Sequence, residues 1–367
     1  MFRKLALAAA SALVSLALLE LALRVTGLEL HDRLNDGRKY GSLLALDEAG
    51  DYFRHPASTS VRLQGVTLRF NSFGMRDDEP RIPKPSGLLR ILCLGDSMTL
   101  GPGVPQDKIY PARLRALLAG EGVDVVAAGV GGWNSVEEEH FLARNIDRLE
   151  PDLVLLLYVT NDAEPIPPYR RERQPATRLS TRLYRTLVLR SRLFEWGAYV
   201  YATRVGGVNW AVLRDMAQRG RERGVVAAPF TAEDAGWTES LGALGRMRAA
   251  TRAHGARLVV FLYNMGNLFP APTVLEGLRA FGAREDVPVF DTWSFFAGRD
   301  LKMLVNGGYD SHPNAPGHAL LAEGITRTLR AEGLLPRVRA GRARIAPRAA
   351  PTSQARGASG HARAASG

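Results

Sequence analysis

Four short segments hold the residue types that acyl chemistry requires. Gly95-Asp96-Ser97 closes the apolar run Ile91-Leu92-Cys93-Leu94. A serine hydroxyl becomes a useful nucleophile only if a base takes its proton and a third group orients that base. Asp310-Ser311-His312-Pro313-Asn314 offers both. His312 can take the Ser97 proton through one ring nitrogen, while Asp310 holds the other and stabilises the imidazolium. Donors must also point in advance at the oxygen that becomes negative. Gly129-Val130-Gly131-Gly132 can present a bare N–H, Thr160-Asn161-Asp162 can present the Asn161 amide, and the Ser97 N–H is a third donor. Each segment has a plain structural reading as well. The first is a turn whose Asp and Ser cap the next element, the glycines form a flexible loop, Asn161 makes an Asx-turn, and His312 is a loop histidine without a partner.

Elements of one type must bring these segments together. Short apolar runs at Ile91–Leu94, Val123–Ala127, Leu153–Tyr158, Arg257–Leu262 and Val287–Phe290 read as strands buried on both faces. Helical patterns separate them: Pro111–Ala119, Ser135–Leu149 with Ser135 as N-cap and Glu137, Glu138 and Glu139 in its first turns, Glu239–His254, Leu275–Arg284, and a final helix from Pro316 towards Ala331. This alternation predicts a three-layer α/β/α domain with a parallel sheet, over residues 89–336. In such sheets the carboxyl ends of the strands form the ligand-binding edge, and Ser97, the glycine segment and Asn161 each follow a strand. Asp310 and His312 are expected on a loop before the last helix.

Taken together and in this order, the segments resemble the four blocks of the SGNH/GDSL hydrolase superfamily, over roughly Leu89 to Leu334. Leu94-Gly95-Asp96-Ser97-Met98-Thr99 is similar to the nucleophile block. Ala128-Gly129-Val130-Gly131-Gly132-Trp133 is similar to the second, with Gly132 at the oxyanion glycine. Thr160-Asn161-Asp162 is similar to the third, with Asn161 at the oxyanion asparagine, and Asp310–Asn314 to the last. The resemblance implies a flavodoxin-like fold and a serine esterase with Ser97, His312 and Asp310 as catalytic residues and Ser97, Gly132 and Asn161 as the oxyanion hole. Ala127 stands where the family often has Asn, and Val159 where it often has Gly. The usual orienting Asp lies three residues before the His; that position is Tyr309, and Asp310 is two before. Either Asp310 reaches the imidazole or a backbone carbonyl orients His312 and the site works as a dyad. Asn71-Ser72-Phe73-Gly74-Met75-Arg76 and the apolar N-terminus also resemble a bacterial membrane-attached subgroup.

The flanks complete the picture. Arg3 and Lys4 precede an apolar run from Leu5 to Leu23, interrupted by Glu20. At about 1.5 Å per residue it nearly crosses a hydrocarbon core of about 30 Å. The cationic flank predicts an anchor over residues 1–27 with the rest of the chain outside the cytoplasm; secretion after signal cleavage is the alternative. Residues 28–88 read as an irregular lead-in with one strand, Val66–Phe70. Residues 165–236 read as a helical insertion, in which Arg178, Arg182, Arg185 and Arg192 recur between Leu179, Leu183, Leu187 and Phe194. It is either a lid packed on the domain or a helix on an anionic membrane surface.

The formal net charge is +11, but residues 337–367 hold seven arginines and no acid, so without them it falls to +4. That tail, mostly Ala, Arg, Gly, Ser and Pro, is expected to be disordered. No nucleic-acid fold signature accompanies it. Cys93 is the one cysteine and reads as a small buried strand residue. His318 reads as structural, Asp96 and Asp162 as supports for their loops. The histidines lack metal-ligand spacing, and neither a metal nor a cofactor is expected. The sequence therefore predicts an acyl-ester substrate, of glycan or lipid, and a membrane contact through the N-terminal helix. An O-acyltransferase using the same site and a non-catalytic tethered glycan-binding protein are the rival functions. The oligomeric state is not legible.

Overall fold

The computed structural model describes residues 1–27, 33–163, 179–201, 235–265, 272–307 and 310–335. Five parallel strands, β5 (Leu89–Gly95), β6 (Val123–Gly129), β7 (Leu153–Tyr158), β8 (Arg257–Leu262) and β9 (Val289–Asp291), form one sheet in the order β6-β5-β7-β8-β9. The four preceding strands, β1 (Ala45–Leu46), β2 (Phe53–Arg54), β3 (Thr59–Leu63) and β4 (Val66–Phe70), form two small antiparallel hairpins. Two short strands, β10 (Val305–Gly307) and β11 (Asp310–Pro313), pair near the C-terminus.

The period of two along each central strand sends alternate residues to opposite layers. Leu92, Leu94, Val154, Leu156 and Val260 pack under α5 (Ser135–Leu149), α8 (Ala235–Ala253) and α9 (Pro272–Glu285). Ile91, Cys93, Leu155, Val259 and Phe261 pack on the other side, with α4 (Tyr110–Leu117) and α10 (Ala315–Ala331). Burying one such side chain contributes about 1.5–3 kcal/mol. This is the predicted three-layer α/β/α arrangement with a parallel sheet. Cys93 is fully buried in it, and burial pushes its thiol up to about 12, so it is no nucleophile.

One cap differs from expectation. Asn134, not Ser135, caps α5, because its Oδ1 accepts from the N–H groups of Val136 and Glu137 at 3.1 and 3.2 Å. The lead-in is also less irregular than its composition suggests. It contains α2 (Arg33–Leu43) and the two hairpins, and the strand Val66–Phe70 pairs with Thr59–Leu63, which carries no comparable sequence signal. Its packing is long-range. Buried Arg76 donates to the carbonyls of Leu100, Gly101 and Val104 at 2.8, 2.5 and 2.5 Å. Asp77 accepts from the Ala127 N–H at 2.8 Å and pairs with Arg115 at 2.6 Å.

α1 (Phe2–Val25) is long and apolar enough to cross a membrane, with a mean hydropathy of 2.1 and none of its residues buried. It fits a membrane anchor or a signal sequence. Within the insertion, α6 (Leu179–Arg190) and α7 (Arg192–Val200) are described; Arg178 and residues 202–234 lie outside the described residues. Glu20 of α1 accepts from the backbone N–H groups of Arg192 and Leu193 at 3.1 and 2.8 Å, at the start of α7. Glu195 of α7 in turn pairs with Lys39 of α2 at 3.1 Å, both buried. The basic tail, 337–367, is outside the described residues.

Candidate active site

Ser97 opens α3 (Ser97–Leu100), directly after β5. Asp96 caps that helix, its Oδ1 accepting from the Met98 N–H at 2.8 Å. Gly95 permits the tight turn, since a Cβ there would collide with the Thr99 side chain. Ser97 Oγ lies 2.9 Å from His312 Nε2 and 3.2 Å from Asp96 Oδ2. Its single proton therefore has two acceptors, and the imidazole is the nearer.

His312 comes from the opposite end of the chain, 215 residues away. It is held on β11, a strand rather than the expected loop. Its Nδ1 lies 2.5 Å from Asp310 Oδ1, which also accepts the His312 backbone N–H at 2.9 Å. The Asp310 carboxylate spans the one residue between them, Ser311, and reaches the ring. Asp310 Oδ2 accepts from Asn306 Nδ2 at 3.0 Å, and that amide also donates to the Pro102 carbonyl at 3.0 Å. Tyr309 is outside the described residues. Burial raises the Asp310 carboxyl, but the hydrogen bonds and charge of His312, with Asn306, outweigh it and hold the pKa below the ordinary value.

A depressed carboxyl stabilises the fold above its unfolded pKa and loses that contribution as pH falls through its folded value. The stability gap between wild type and Asp310→Asn in urea unfolding should thus stay level from pH 7 to about 5 and shrink below about 4. A gap that widens towards acid pH would contradict the pairing.

The two remaining segments converge on the same place. Gly129 carries no side chain because α3 lies on it: a Cβ would stand 2.5 Å from the Leu100 nitrogen. The chain then turns through Val130–Trp133, closed by the Trp133 N–H donating to the Val130 carbonyl at 3.1 Å, with Gly132 at φ +79°. Asn161 Nδ2 donates to Asp96 Oδ2 at 3.1 Å and to the Trp133 carbonyl at 3.2 Å. Ser97 and Asn161 thus share one acceptor oxygen, and the three blocks are tied to each other directly. Asp162 Oδ2 accepts the Val159 N–H at 2.7 Å and holds its own turn.

Ser97, Gly132, Asp310 and His312 line one pocket of about 360 Å³. Residues 93–320 match the GDSL-like Lipase/Acylhydrolase family. The chain belongs to that family. This GDSL-like acylhydrolase is accordingly a serine ester hydrolase. Its fold is also similar to solved structures at low identity. One is TesA, at 19% identity and TM-score 0.39, covering 66% of this chain and 98% of that one. Another is the psychrotrophic esterase EstA from Pseudoalteromonas sp., inhibited by monoethylphosphonate, at 13% identity and TM-score 0.41, covering 67% and 98%. A third is the acetyl xylan esterase AlAXEase, at 13% identity and TM-score 0.38, covering 66% and 100%. No curated protein matches the chain.

Several residues at the acylhydrolase pocket are not legible in the sequence. Asp36 and Tyr40 of α2 and Gln64 of the β3–β4 turn line it from the lead-in, and Asn306 steadies Asp310. They lie in segments with no periodic signal and no motif, so only the folded chain reveals them. His318 is fully buried as read, with its Nδ1 accepting from the Tyr110 N–H at 3.2 Å. Burial, with the nearby charges of Arg76, His312 and Arg113, pushes it down to about 3, so it is neutral and structural.

Proposed function

We propose that the chain hydrolyses O-acyl esters of cell-envelope glycans or lipids, with Ser97 as nucleophile, His312 as general base and Asp310 as its orienting carboxylate. The observation that carries this assignment is the unbroken chain Asp310–His312–Ser97, at 2.5 and 2.9 Å, opening on a pocket. Ser97 Oγ gives its proton to His312 Nε2 as the oxygen bonds the ester carbon. The carbonyl electron pair moves onto the oxygen, where the N–H groups of Ser97 and Gly132 and the Asn161 amide receive it. The Ser97 N–H sits in the first turn of α3, where no intrahelical acceptor exists. Asn161 supplies a hydrogen by turning it from Asp96. The imidazolium, stabilised by Asp310, then protonates the leaving alkoxide. Water, deprotonated by His312, then bonds the acyl carbon, and as the bond to Ser97 Oγ breaks His312 returns the proton to that oxygen and the free acid leaves.

The envelope assignment rests on α1 and its cationic flank, Arg3 and Lys4, which favour an anchored protein facing away from the cytoplasm. The pocket suits an ester with both polar and apolar parts, since Asp36, Tyr40 and Gln64 line it together with Leu63, Leu100 and Pro102. A tethered glycan-binding role would need no Asp310–His312–Ser97 chain.

The test uses the full-length protein in mild detergent with p-nitrophenyl acetate and butyrate and a serine-directed phosphonate. Turnover, with the phosphonate located on Ser97 by mass spectrometry, is the expected result. A folded protein that neither turns over nor takes the label would defeat the reading. Asp310→Asn should lower kcat by about 10³–10⁴-fold; an unchanged rate would mean a Ser97–His312 dyad. Partition of the acyl group into an added polyol would show transfer rather than hydrolysis.

A further inference from the structure

The turn that carries Gly132 has a supporting apparatus built from the lead-in. Tyr40 Oη accepts the Gly131 N–H at 2.6 Å and stands 2.8 Å from His55 Nε2. His55 Nδ1 lies 3.1 Å from the Gly74 carbonyl oxygen. A carbonyl can only accept, so Nδ1 holds a proton and donates. In a neutral imidazole Nε2 is then an acceptor, and the Tyr40 hydroxyl must be its donor. The direction of the whole relay follows: Gly131 N–H to Tyr40, Tyr40 O–H to His55, His55 N–H to Gly74. The neutral form is the one the environment favours. His55 is fully buried and stacked on Phe70 at 4.1 Å, and burial, aided by the Arg76 charge against the Gly74 hydrogen bond, pushes it down to about 3.

Both glycines of the relay are required by close approach. A Cβ on Gly131 would stand 2.7 Å from Tyr40 Cε1, so the phenol ring rests on bare backbone. Gly74, at φ +73°, would place a Cβ 2.5 Å from the His55 carbonyl oxygen. The far side of the turn is held as well. The Trp133 indole N–H donates to the Phe53 carbonyl at 2.6 Å, and the Trp133 carbonyl accepts from Asn161. Gly132 therefore sits between two pinned neighbours, one fixed by Tyr40 and one by Phe53 and Asn161.

Two consecutive glycines have wide backbone freedom. An oxyanion donor is worth most when it needs no reorganisation as charge develops. Something outside the turn must remove that freedom, and Tyr40 is the side chain placed to do so. It lines the same pocket as Ser97, Gly132 and His312. We propose that Tyr40 is a positioning residue that, through its relay to His55 and Gly74, sets the Gly131–Gly132 turn for transition-state stabilisation. The lead-in is then part of the catalytic apparatus rather than a spacer between anchor and domain. This inference rests on the Ser97 reading above.

The experiment compares Tyr40→Phe with wild type and Ser97→Ala, all full-length, on p-nitrophenyl butyrate. Phenylalanine keeps the ring against Gly131 and removes only the hydroxyl. Loss of a complete oxyanion donor costs about 10²–10³-fold, so loosening one should lower kcat by about 10–100-fold. KM should stay within about threefold, because ground-state contacts are kept. The Ki of a short alkyl boronic acid, which becomes tetrahedral and anionic on the serine, should rise by about the same factor as kcat falls. A merely structural role would lower the melting temperature and leave kcat and Ki unchanged in the folded protein. Wild-type kcat and boronate Ki in folded Tyr40→Phe would overturn the relay while the Ser97 reading stood. Activity in Ser97→Ala would defeat the Ser97 reading and the relay with it. If Tyr40→Phe does not fold, Gly131→Ala, which presses a methyl on the Tyr40 ring, reads the same split: kcat and Ki must move together, and a change in neither refutes the relay.

Discussion

Ser97→Ala should lower kcat on a short p-nitrophenyl ester by about 10⁴–10⁶-fold while leaving the fold intact. The size of the effect follows from the site's geometry. The Ser97 hydroxyl is the nucleophile whose proton His312 takes, at 2.9 Å from Nε2. Without it, the imidazole has no proton to accept and no acyl-enzyme can form. What survives is the help that the remaining donors give to direct attack by water, which in triad enzymes leaves a residual acceleration of about 10³–10⁴. The structural loss is small. Asp96 Oδ2 keeps its hydrogen bond from Asn161, and the α3 cap through Asp96 Oδ1 is untouched. Circular dichroism and thermal unfolding should match wild type within about 2 °C. A variant that keeps more than about a hundredth of wild-type kcat would point to another nucleophile.

Glu138→Gln should stabilise the protein, and by more as pH rises. Glu138 is fully buried on α5, and neither of its carboxyl oxygens has a hydrogen-bond partner among the described residues. Asp162 Oδ1 is in the same condition. Burial, then the charges of Asp96 and Glu137, raise the Glu138 carboxyl well above its ordinary value, and burial with Glu138 does the same to Asp162. A raised carboxyl keeps its proton in the folded state and gives it up in the unfolded one. Folding stability therefore falls as pH climbs from the unfolded pKa towards the folded pKa, by about 1.4 kcal/mol per pH unit. A glutamine of the same shape is neutral at every pH and escapes that loss. The advantage of Glu138→Gln should therefore grow as pH rises above the ordinary carboxylate range. Urea unfolding at several pH values measures it, and an advantage that does not change with pH would mean the carboxyl is ionised in the fold. The acids expected in the first turns of α5 are there, and Glu137 and Glu139 have further partners. Glu137 accepts from the Phe53 N–H at 3.3 Å and Glu139 pairs with Arg246 at 2.9 Å, while burial and the charges of Asp96 and Glu137 push the Glu138 carboxyl up.

Much of the central architecture is written in local pattern. Leu153–Tyr158 and Arg257–Leu262 have the bounds in the structure that their apolar runs predict, because a strand buried on both faces must be apolar throughout. The helix Ser135–Leu149 has the predicted span as well, with its cap one residue earlier. Ser97, His312 and Asp310 are named by motif, and the structure joins them by hydrogen bonds; Gly132 and Asn161 fall beside them. Asp310, at an atypical spacing, still reaches the ring, since a carboxylate two residues back along an extended strand can accept both the backbone N–H and Nδ1.

The lead-in shows the opposite case. Its α2 is rich in Arg, Asn, Asp and Gly, the strands of its first hairpin are two residues long, and only Val66–Phe70 has an alternation that the sequence shows. Tyr40 and His55 look unremarkable there, and Arg76 is visible only as the end of the segment Asn71–Arg76, with no role attached. Their importance comes from partners far along the chain: Gly131, 91 residues from Tyr40, and Leu100, 24 from Arg76. Sequence by itself determined the sheet, its helices and the identity of the chemical groups, because hydrophobic period and residue type are properties of neighbouring positions. Only the tertiary structure decided which buried polar groups answer one another across the fold. A hydrogen bond depends on where two distant backbones meet, and no local pattern encodes that meeting.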